Sequence, residues 1–102
     1  MFISKYVNDF YFDLIVHEYE EQYLNSLDKE NFSKIYTVFK DNGFYFIEDI
    51  ILKYLEIFSM DYDDVFKGIK LLKEKLGNNF VSIVGNDMNY LNTLLEMVGE
   101  GE

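Results

Sequence analysis

The clearest helix in the sequence is predicted for residues 61–77, DYDDVFKGIKLLKEKLG. Asp61 is a typical N-cap residue, and Gly77 is the residue type that most often follows the last turn of a helix. Acids stand in the first turn and lysines in the last turns, an order that the helix dipole favours. The apolar residues fall on one helix face, at Val65, Ile69, Leu72 and Leu76. Such a face has to pack on other helices, so we expect an all-α fold.

The segment before this helix predicts two more helices. Asp28 is an N-cap candidate, and Asp41-Asn42-Gly43 is a stop signal because Gly or Asn can take the left-handed conformation at a helix end. The apolar residues between these two signals include Phe32, Ile35, Tyr36 and Phe39. A third helix is expected after Phe44-Tyr45-Phe46. Its predicted apolar face consists of Ile47, Ile50, Ile51, Tyr54, Leu55 and Phe58.

The N-terminal segment predicts one long helix from Lys5 to about Leu27. Apolar residues recur there at helical spacing, and the chain contains no proline that would force a break. The apolar positions are Val7, Phe10, Tyr11, Leu14, Ile15, Tyr23, Leu24 and Leu27. Three acids, Glu18, Glu20 and Glu21, mark the solvated side of this predicted helix.

The C-terminal segment is ambiguous at Phe80-Val81-Ser82-Ile83-Val84, which is short and β-branched. No second clear strand is available to pair with it, so we favour a single helical turn. Gly85-Asn86-Asp87 then breaks and caps a last helix, whose apolar residues are Met88, Leu91, Leu94, Leu95 and Val98. We expect a single helical domain over residues 1–98 and a frayed tail at 99–102. The predicted fold is a compact bundle or short array of about five helices, joined by tight Gly/Asn/Asp turns.

The composition favours a basic protein as partner. The 102 residues include 9 Lys, no Arg and 19 Asp and Glu, which gives a net charge of −10. Such a chain is repelled by phosphate backbones and anionic membranes, so neither nucleic acid nor a membrane is expected to bind it.

There is no Cys, no apolar run of membrane-spanning length and no signal-peptide pattern, and we expect a cytoplasmic protein. The frequent Lys, Ile, Asn, Phe and Tyr indicate AT-rich coding, as in low-GC bacteria and their phages.

The residues that enzymes and metal sites need are missing from the sequence. His17 is the only histidine, and position 21, where a zinc motif of the His-Glu-x-x-His type needs a second, is Glu. Asp61-Tyr62-Asp63-Asp64 begins like a calcium loop, but Phe66 and Leu72 stand where that loop needs Gly and Glu. No serine has a nucleophile context and no glycine-rich phosphate loop occurs. We therefore predict no enzyme activity, no metal and no cofactor.

The aromatic residues are the most informative feature for function. The chain has ten Phe and nine Tyr, and all but Phe80 and Tyr90 lie at or before Phe66. A small bundle cannot bury all of them, and exposed Tyr is typical of protein interfaces. Two places combine Tyr with acids, and the candidate partner-binding residues are Glu18, Tyr19, Glu20, Glu21, Asp61, Tyr62, Asp63 and Asp64. The alternative, that these rings pack at the edge of the core with hydroxyls in water, stays open.

The stretch from Phe32 to Met97 resembles the helical repeats of the mitochondrial transcription termination factor (mTERF) family. The residues that carry the resemblance are Phe39-x-x-x-Gly43-Phe44, Ile47-x-x-Ile50-Ile51, Ile69-x-x-Leu72-Lys73-x-x-Leu76-Gly77, Ile83-Val84, Leu91 and Leu94-Leu95. The resemblance implies stacked helix pairs and a basic concave face that binds nucleic acid. The proline that opens such repeats is absent here and the net charge has the opposite sign, so only the helix-pair geometry is carried over.

Three functional hypotheses follow. The favoured one is an inhibitor or neutraliser of a basic protein, including one that itself binds nucleic acid, like immunity proteins, antitoxins and phage anti-defence proteins. The second is an mTERF-like nucleic-acid-binding module that uses Lys67, Lys70, Lys73 and Lys75. The third is a self-associating structural subunit, in which a homo-oligomer buries the surplus Phe and Tyr.

Overall fold

Helices account for the fold of residues 1–100, which are the part of the chain that the computed structural model describes, with side chains through residue 96. The α-helices are α1 Asp9–Glu18, α2 Glu21–Ser26, α3 Lys29–Asp41, α4 Ile47–Lys53, α5 Tyr62–Leu76, α6 Phe80–Asn86 and α7 Asn92–Glu100. Short 3-10 helices lie at Phe2–Lys5, Leu55–Ser59 and Met88–Leu91. The prediction of an all-α bundle is confirmed.

The predicted helix boundaries at Asp28, Gly43, Asp61 and Gly77 are confirmed, whereas Gly85, predicted to break a helix, lies inside α6, and Asp87 caps a 3-10 helix. The carboxylates of Asp28, Asp61 and Asp87 each accept a hydrogen bond from a backbone N–H two or three residues ahead, at 2.9 to 3.1 Å. Gly43 and Gly77 have φ values of +85° and +83°, the left-handed region that ends helices. Short-range chemistry therefore sets the ends of α3 and α5 as the sequence indicates.

The prediction of one long N-terminal helix is wrong. A 3-10 helix comes first, and α1 ends at Glu18, after which Tyr19 and Glu20 are extended before α2 begins at Glu21. A long-range contact lies at the break, since the Tyr19 hydroxyl donates a hydrogen bond to the carbonyl of Leu52 at 2.7 Å. A half-buried ring held in this way fixes the backbone at a place where helix propensity alone would continue the helix.

The predicted third helix is also divided. It ends at Lys53, and a 3-10 helix covers Leu55–Ser59. Leu55, Ile57 and Phe58 are all fully buried there. A 3-10 helix has three residues per turn, so Leu55 and Phe58 lie one above the other and both face the core.

Residues 80–86 are helical, so the helical interpretation of Phe80–Val84 is confirmed, with α6 longer than a single turn. Phe80 and Val84, four residues apart, are both buried. The last α-helix begins at Asn92, later than predicted, because Met88–Leu91 forms a 3-10 helix first. The tail predicted at 99–102 stays a prediction, since residues 101–102 lie outside the described residues.

The core is entirely apolar among the residues with described side chains, and a cluster of phenylalanine rings lies at its centre. The rings of Phe32 and Phe58 lie 4.6 Å apart and those of Phe39 and Phe58 5.7 Å apart, and all three side chains are fully buried. Helix α5 packs on α3 and α7, and α1 packs on α4.

The radius of gyration, 13.3 Å, is close to the value of about 13 Å expected for a folded chain of 100 residues. No helix within residues 1–100 is long and apolar enough to span a bilayer.

Candidate functional site

The first candidate surface is a groove between α1 and α4 that contains Tyr19. The groove has a volume of about 380 Å³ and is lined by Leu14, Glu18, Tyr19, Leu52 and Lys53. The half-buried Tyr19 forms one wall, because its hydroxyl is fixed on the Leu52 carbonyl, and Glu18 is exposed beside it. The groove therefore combines apolar walls, an aromatic ring and a carboxylate.

The surroundings of Tyr19 keep its hydroxyl protonated. Burial raises the pKa of Tyr19 above its ordinary value, and the carboxylates of Glu56 and Glu18 raise that pKa further, while the Leu55 backbone N–H lowers it in part. The contribution of Glu56 comes from a different element, so the acidic environment of Tyr19 is larger than the run Glu18–Glu21 that the sequence indicates.

Two side chains at the start of α4 hold α1 in place. The Asn8 backbone N–H donates a hydrogen bond to a carboxylate oxygen of Glu48 at 2.7 Å. The Tyr11 hydroxyl donates to Asp49 at 2.8 Å, and this hydrogen bond is the main reason that the pKa of Tyr11 is raised. With the Tyr19 contact, α1 is fixed to α4 at its first turn and at its end.

The outer side of α1 is apolar, which the sequence did not predict. Phe10 is 68% exposed and Leu14 is 38% exposed, although both were predicted to face the core. The inner side is occupied by the fully buried Ile15, with Tyr11 and Phe12 half-buried beside it. Because α1 carries apolar residues almost all round, hydrophobic periodicity could not tell which of them face solvent.

The second candidate surface surrounds Tyr62, a half-buried residue in a groove of about 250 Å³ between α3 and α5. The other residues that line it are Ser33, Lys34, Thr37, Val38, Asp41, Asn42 and Phe66. The Lys34 Nζ lies 5.9 Å from the centre of the Tyr62 ring, within the range of a cation–π contact. Asp63 and Asp64 follow Tyr62 in the first turn of α5 and are exposed, but neither lines the groove, whose one lining carboxylate is that of Asp41.

The start of α5 is tied to α3 by one side chain. The Asn31 amide donates a hydrogen bond to the Met60 carbonyl at 2.7 Å and a longer one to the Phe58 carbonyl at 3.5 Å. Asp61 follows directly, and its carboxylate is engaged as the N-cap. Asn31 therefore positions the predicted Asp61–Asp64 cluster, and its role became apparent only from the tertiary structure.

The two predicted clusters are separate surfaces. The Glu18–Glu21 cluster belongs to the α1–α2 junction, which lies on α4, whereas Asp61–Asp64 begins α5, which lies on α3 and α7. No hydrogen bond or ion pair in the described part of the chain joins the two clusters. Each surface therefore has to be tested by itself.

The surface acids are almost all unpaired. Among the residues whose side chains are described, the one ion pair is His17 with Asp13, at 3.7 Å between two exposed side chains. The His17 Nδ1 also lies 2.7 Å from the Asp13 carbonyl oxygen, within the same helix. Lys53 and Lys34 line the two grooves, but within the described residues no lysine forms an ion pair with a carboxylate there.

The lysines of α5 do not form a single strip. Lys67 and Lys70 line a shallow depression of about 320 Å³ together with Leu71 and Glu74. Residues two positions apart on a helix point about 160° apart. Lys73 and Lys75 therefore lie on opposite flanks of Lys67 and Lys70, and Glu74 stands between them.

The described residues contain no group of three or more His, Cys, Asp or Glu side chains that could hold a metal ion. They also contain no buried side-chain nitrogen or oxygen without a hydrogen-bond partner. The features that could recognise another molecule include the two grooves and the outer side of α1. Comparisons of the chain with protein-family models, curated proteins and solved structures give no match.

Proposed function

We propose that the chain is a small cytoplasmic protein-binding domain that inhibits or neutralises a basic protein, in the manner of immunity proteins, antitoxins or phage anti-defence proteins. The observation that carries the proposal is the repeated combination of a half-buried tyrosine in a groove and exposed, unpaired carboxylates beside it. Tyr19 with Glu18 and Tyr62 with Asp63 and Asp64 are the two instances.

Electrostatics supports a basic partner. The net charge is −10, and the carboxylates next to both grooves are free of ion pairs within the described residues. Such a field attracts a cationic surface and accelerates its association by a factor of about 10 to 1,000 at low salt. Partners with an acidic surface are repelled by the same field, so the charge also provides selectivity.

The tyrosines support direct contact after this encounter. A ring that is already held in place loses little conformational entropy on binding, which is one reason that tyrosine contributes strongly to interfaces. Tyr19 is held by its hydrogen bond to Leu52 and Tyr62 by packing beside Lys34. Both rings are therefore held in place before binding and can contact apolar and cationic groups of a partner.

The test begins with capture of partners by the full chain from a lysate of its own organism, at about 50 mM and about 500 mM salt. A captured protein is then purified, and its association rate is measured against salt. We expect a basic protein whose association slows as salt rises. An acidic partner, or a rate that is indifferent to salt, contradicts the proposal.

Matched charge variants locate the contact. E18Q/E20Q and D63N/D64N each remove two carboxylates near a groove, and E74Q/E96Q removes two exposed carboxylates elsewhere. We expect one or both groove variants to slow association about threefold or more, with little change for E74Q/E96Q. Equal slowing by all three variants would mean that net charge alone, without a site, attracts the partner.

A further inference from the structure

We infer that the outer side of α1 binds a basic amphipathic helix of the partner. This α1 outer face is defined by Phe10 and Leu14, with Asp9, Asp13 and Glu18 at its border. The inference rests on the proposed function for the charge of the partner, and it adds which surface makes the apolar contact and what kind of segment occupies it.

The apolar centre of the face is exposed beyond what single surface residues require. Phe10 is 68% exposed, a fraction that only Tyr45, at 76%, exceeds among the large apolar side chains with described exposure. Leu14 lies four residues later and is 38% exposed, so the two side chains are neighbours on the same side of the helix. Their spacing is the one by which helices present anchors to each other.

The face continues into the Tyr19 groove. Leu14 belongs to both, and the groove behind it is lined by Leu52 and the Tyr19 ring, with about 380 Å³ of space. An apolar side chain that lies over Phe10 and Leu14 can therefore be followed, one turn later, by another that enters the groove. A continuous ridge-and-groove surface of this kind suits a helix better than an extended strand, whose backbone needs an unpaired sheet edge.

Three hydrogen bonds hold the helix that carries this face on α4 before anything binds. The contacts of Asn8 with Glu48, of Tyr11 with Asp49 and of Tyr19 with Leu52 fix α1 on α4 at 2.7, 2.8 and 2.7 Å. Binding then costs little ordering of the α1 side, which favours affinity.

The charges around the α1 outer face determine which kind of helix can bind there. Asp9, Asp13 and Glu18 are exposed around the apolar centre, and the exposed His17 lies on the same side of α1, 3.7 Å from Asp13. Lys53 is the one lysine that lines the groove. Lysines or arginines that flank the apolar residues of a partner helix would meet these carboxylates. A second copy of this chain in a symmetric contact would bring the same carboxylates against each other, which is unfavourable.

The test uses two synthetic peptide probes and the full chain. One labelled peptide of about 18 residues consists of Leu and Lys, with Leu at helix positions i, i+3, i+4 and i+7. The other has the same lysines with Ser in place of every Leu. Fluorescence anisotropy at physiological salt measures both affinities, so that the difference between peptides reports the apolar contact and cancels the general attraction of charges.

We expect the Leu peptide to bind at least about tenfold more tightly than the Ser peptide. The variant F10S/L14S should reduce this ratio to within about twofold. The matched control Y45S/L71S removes exposed apolar side chains elsewhere (76% and 41% exposed) and should keep the ratio. Circular dichroism melting curves establish that each variant is folded. Equal affinities of the two peptides, or an equal loss in Y45S/L71S, overturns the inference.

Sedimentation of the wild-type chain and of F10S/L14S tests whether a second copy of this chain, and not a partner helix, occupies the face. We expect monomers in both cases, and a dimer that F10S/L14S disperses overturns the inference in favour of self-association. Failure of the proposed function can be told apart from failure of this inference, because the proposed function is tested by the salt dependence of the association rate with the natural partner. A basic partner that associates with salt-dependent rates but binds F10S/L14S unchanged leaves the proposed function and removes this inference.

Discussion

The Tyr19 hydroxyl donates a hydrogen bond to the backbone carbonyl of Leu52, 2.7 Å away and 33 positions later in the sequence. This contact joins the end of α1 to the end of α4, and it forms a wall of the groove at the proposed binding surface. The same residue thus has a structural role through its hydroxyl, and we propose a recognition role for its ring. The two roles can be separated by substitution.

Tyr19→Phe is expected to lower the free energy of unfolding by about 1 kcal/mol, because it removes one hydrogen bond and leaves the Leu52 carbonyl without that donor. Urea unfolding followed by circular dichroism measures the change. The control is Tyr23→Phe, since the Tyr23 hydroxyl makes no hydrogen bond among the described residues while its ring packs 5.9 Å from that of Tyr19. A larger loss in Tyr23→Phe than in Tyr19→Phe would contradict the assignment.

Alkaline pH provides a measurement of the surroundings of the Tyr19 hydroxyl, above all of its burial. The pKa of Tyr19 is raised above 10.0, so the fold favours the neutral hydroxyl. The stability from this preference is fully present below pH 10.0 and is lost as pH rises through the raised pKa. Between about pH 8 and about pH 11, Tyr19→Phe should therefore lose less stability than the wild type. Tyr11, whose pKa is raised mainly by its hydrogen bond to Asp49, contributes with the same sign. An unchanged pH profile in Y11F/Y19F would show that neither hydroxyl is coupled to folding.

Asn31→Ala should destabilise the fold by about 1 to 2 kcal/mol, because it removes the amide that donates to the carbonyls of Met60 and Phe58. The loss should be largest at the start of α5, where hydrogen exchange of the first backbone amides measures local opening. Asn25→Ala, at an exposed position of α2, serves as the control and should change stability by less than about 0.5 kcal/mol. Faster exchange spread evenly over the chain, without excess at α5, would argue against a local role of Asn31.

The Asp61 carboxylate caps α5 and also carries a negative charge, and two substitutions distinguish these two contributions. Asp61→Ala removes the cap and should cost about 1 kcal/mol of stability, whereas Asp61→Asn keeps an oxygen that can accept from the Asp63 N–H and should cost a few tenths at most. If the carboxylate contributes to partner association, both variants should slow it, because both remove the charge. Slowing in Asp61→Ala alone would mean that the helix start, and not the charge, is what the partner requires.

Residue chemistry predicted those parts of the fold that depend on near neighbours. Asp28, Asp61 and Asp87 cap helices, and Gly43 and Gly77 end them, because capping and left-handed conformations are decided within three or four residues. These signals were sufficient for the fold class and for the position of α3 and α5.

Contacts between distant residues explain what the sequence did not predict. The break at Tyr19–Glu20 has neither proline nor glycine and depends on Leu52, so no local signal indicates it. Phe10 and Leu14 fit the helical periodicity as well as Ile15 does, and only the packing of α1 on α4 decides that Ile15 is buried and that they face solvent. The sequence thus predicted two acidic tyrosine sites but not the apolar surface that extends one of them.

Gly77 provides the most direct test of a local signal. Its φ of +83° and ψ of −166° lie in a region that is nearly restricted to glycine, and a Cβ built there meets no atom within 4 Å. The cost of Gly77→Ala is therefore backbone strain without steric contact, about 1 to 3 kcal/mol, against a gain of about 0.4 to 1 kcal/mol from the less flexible unfolded chain. We expect a net loss of about 1 to 2 kcal/mol in urea unfolding. Asn78→Ala, the exposed neighbour, should be close to neutral. A Gly77→Ala variant as stable as the wild type would mean that the turn between α5 and α6 can adopt another conformation, and that glycine is not what ends α5.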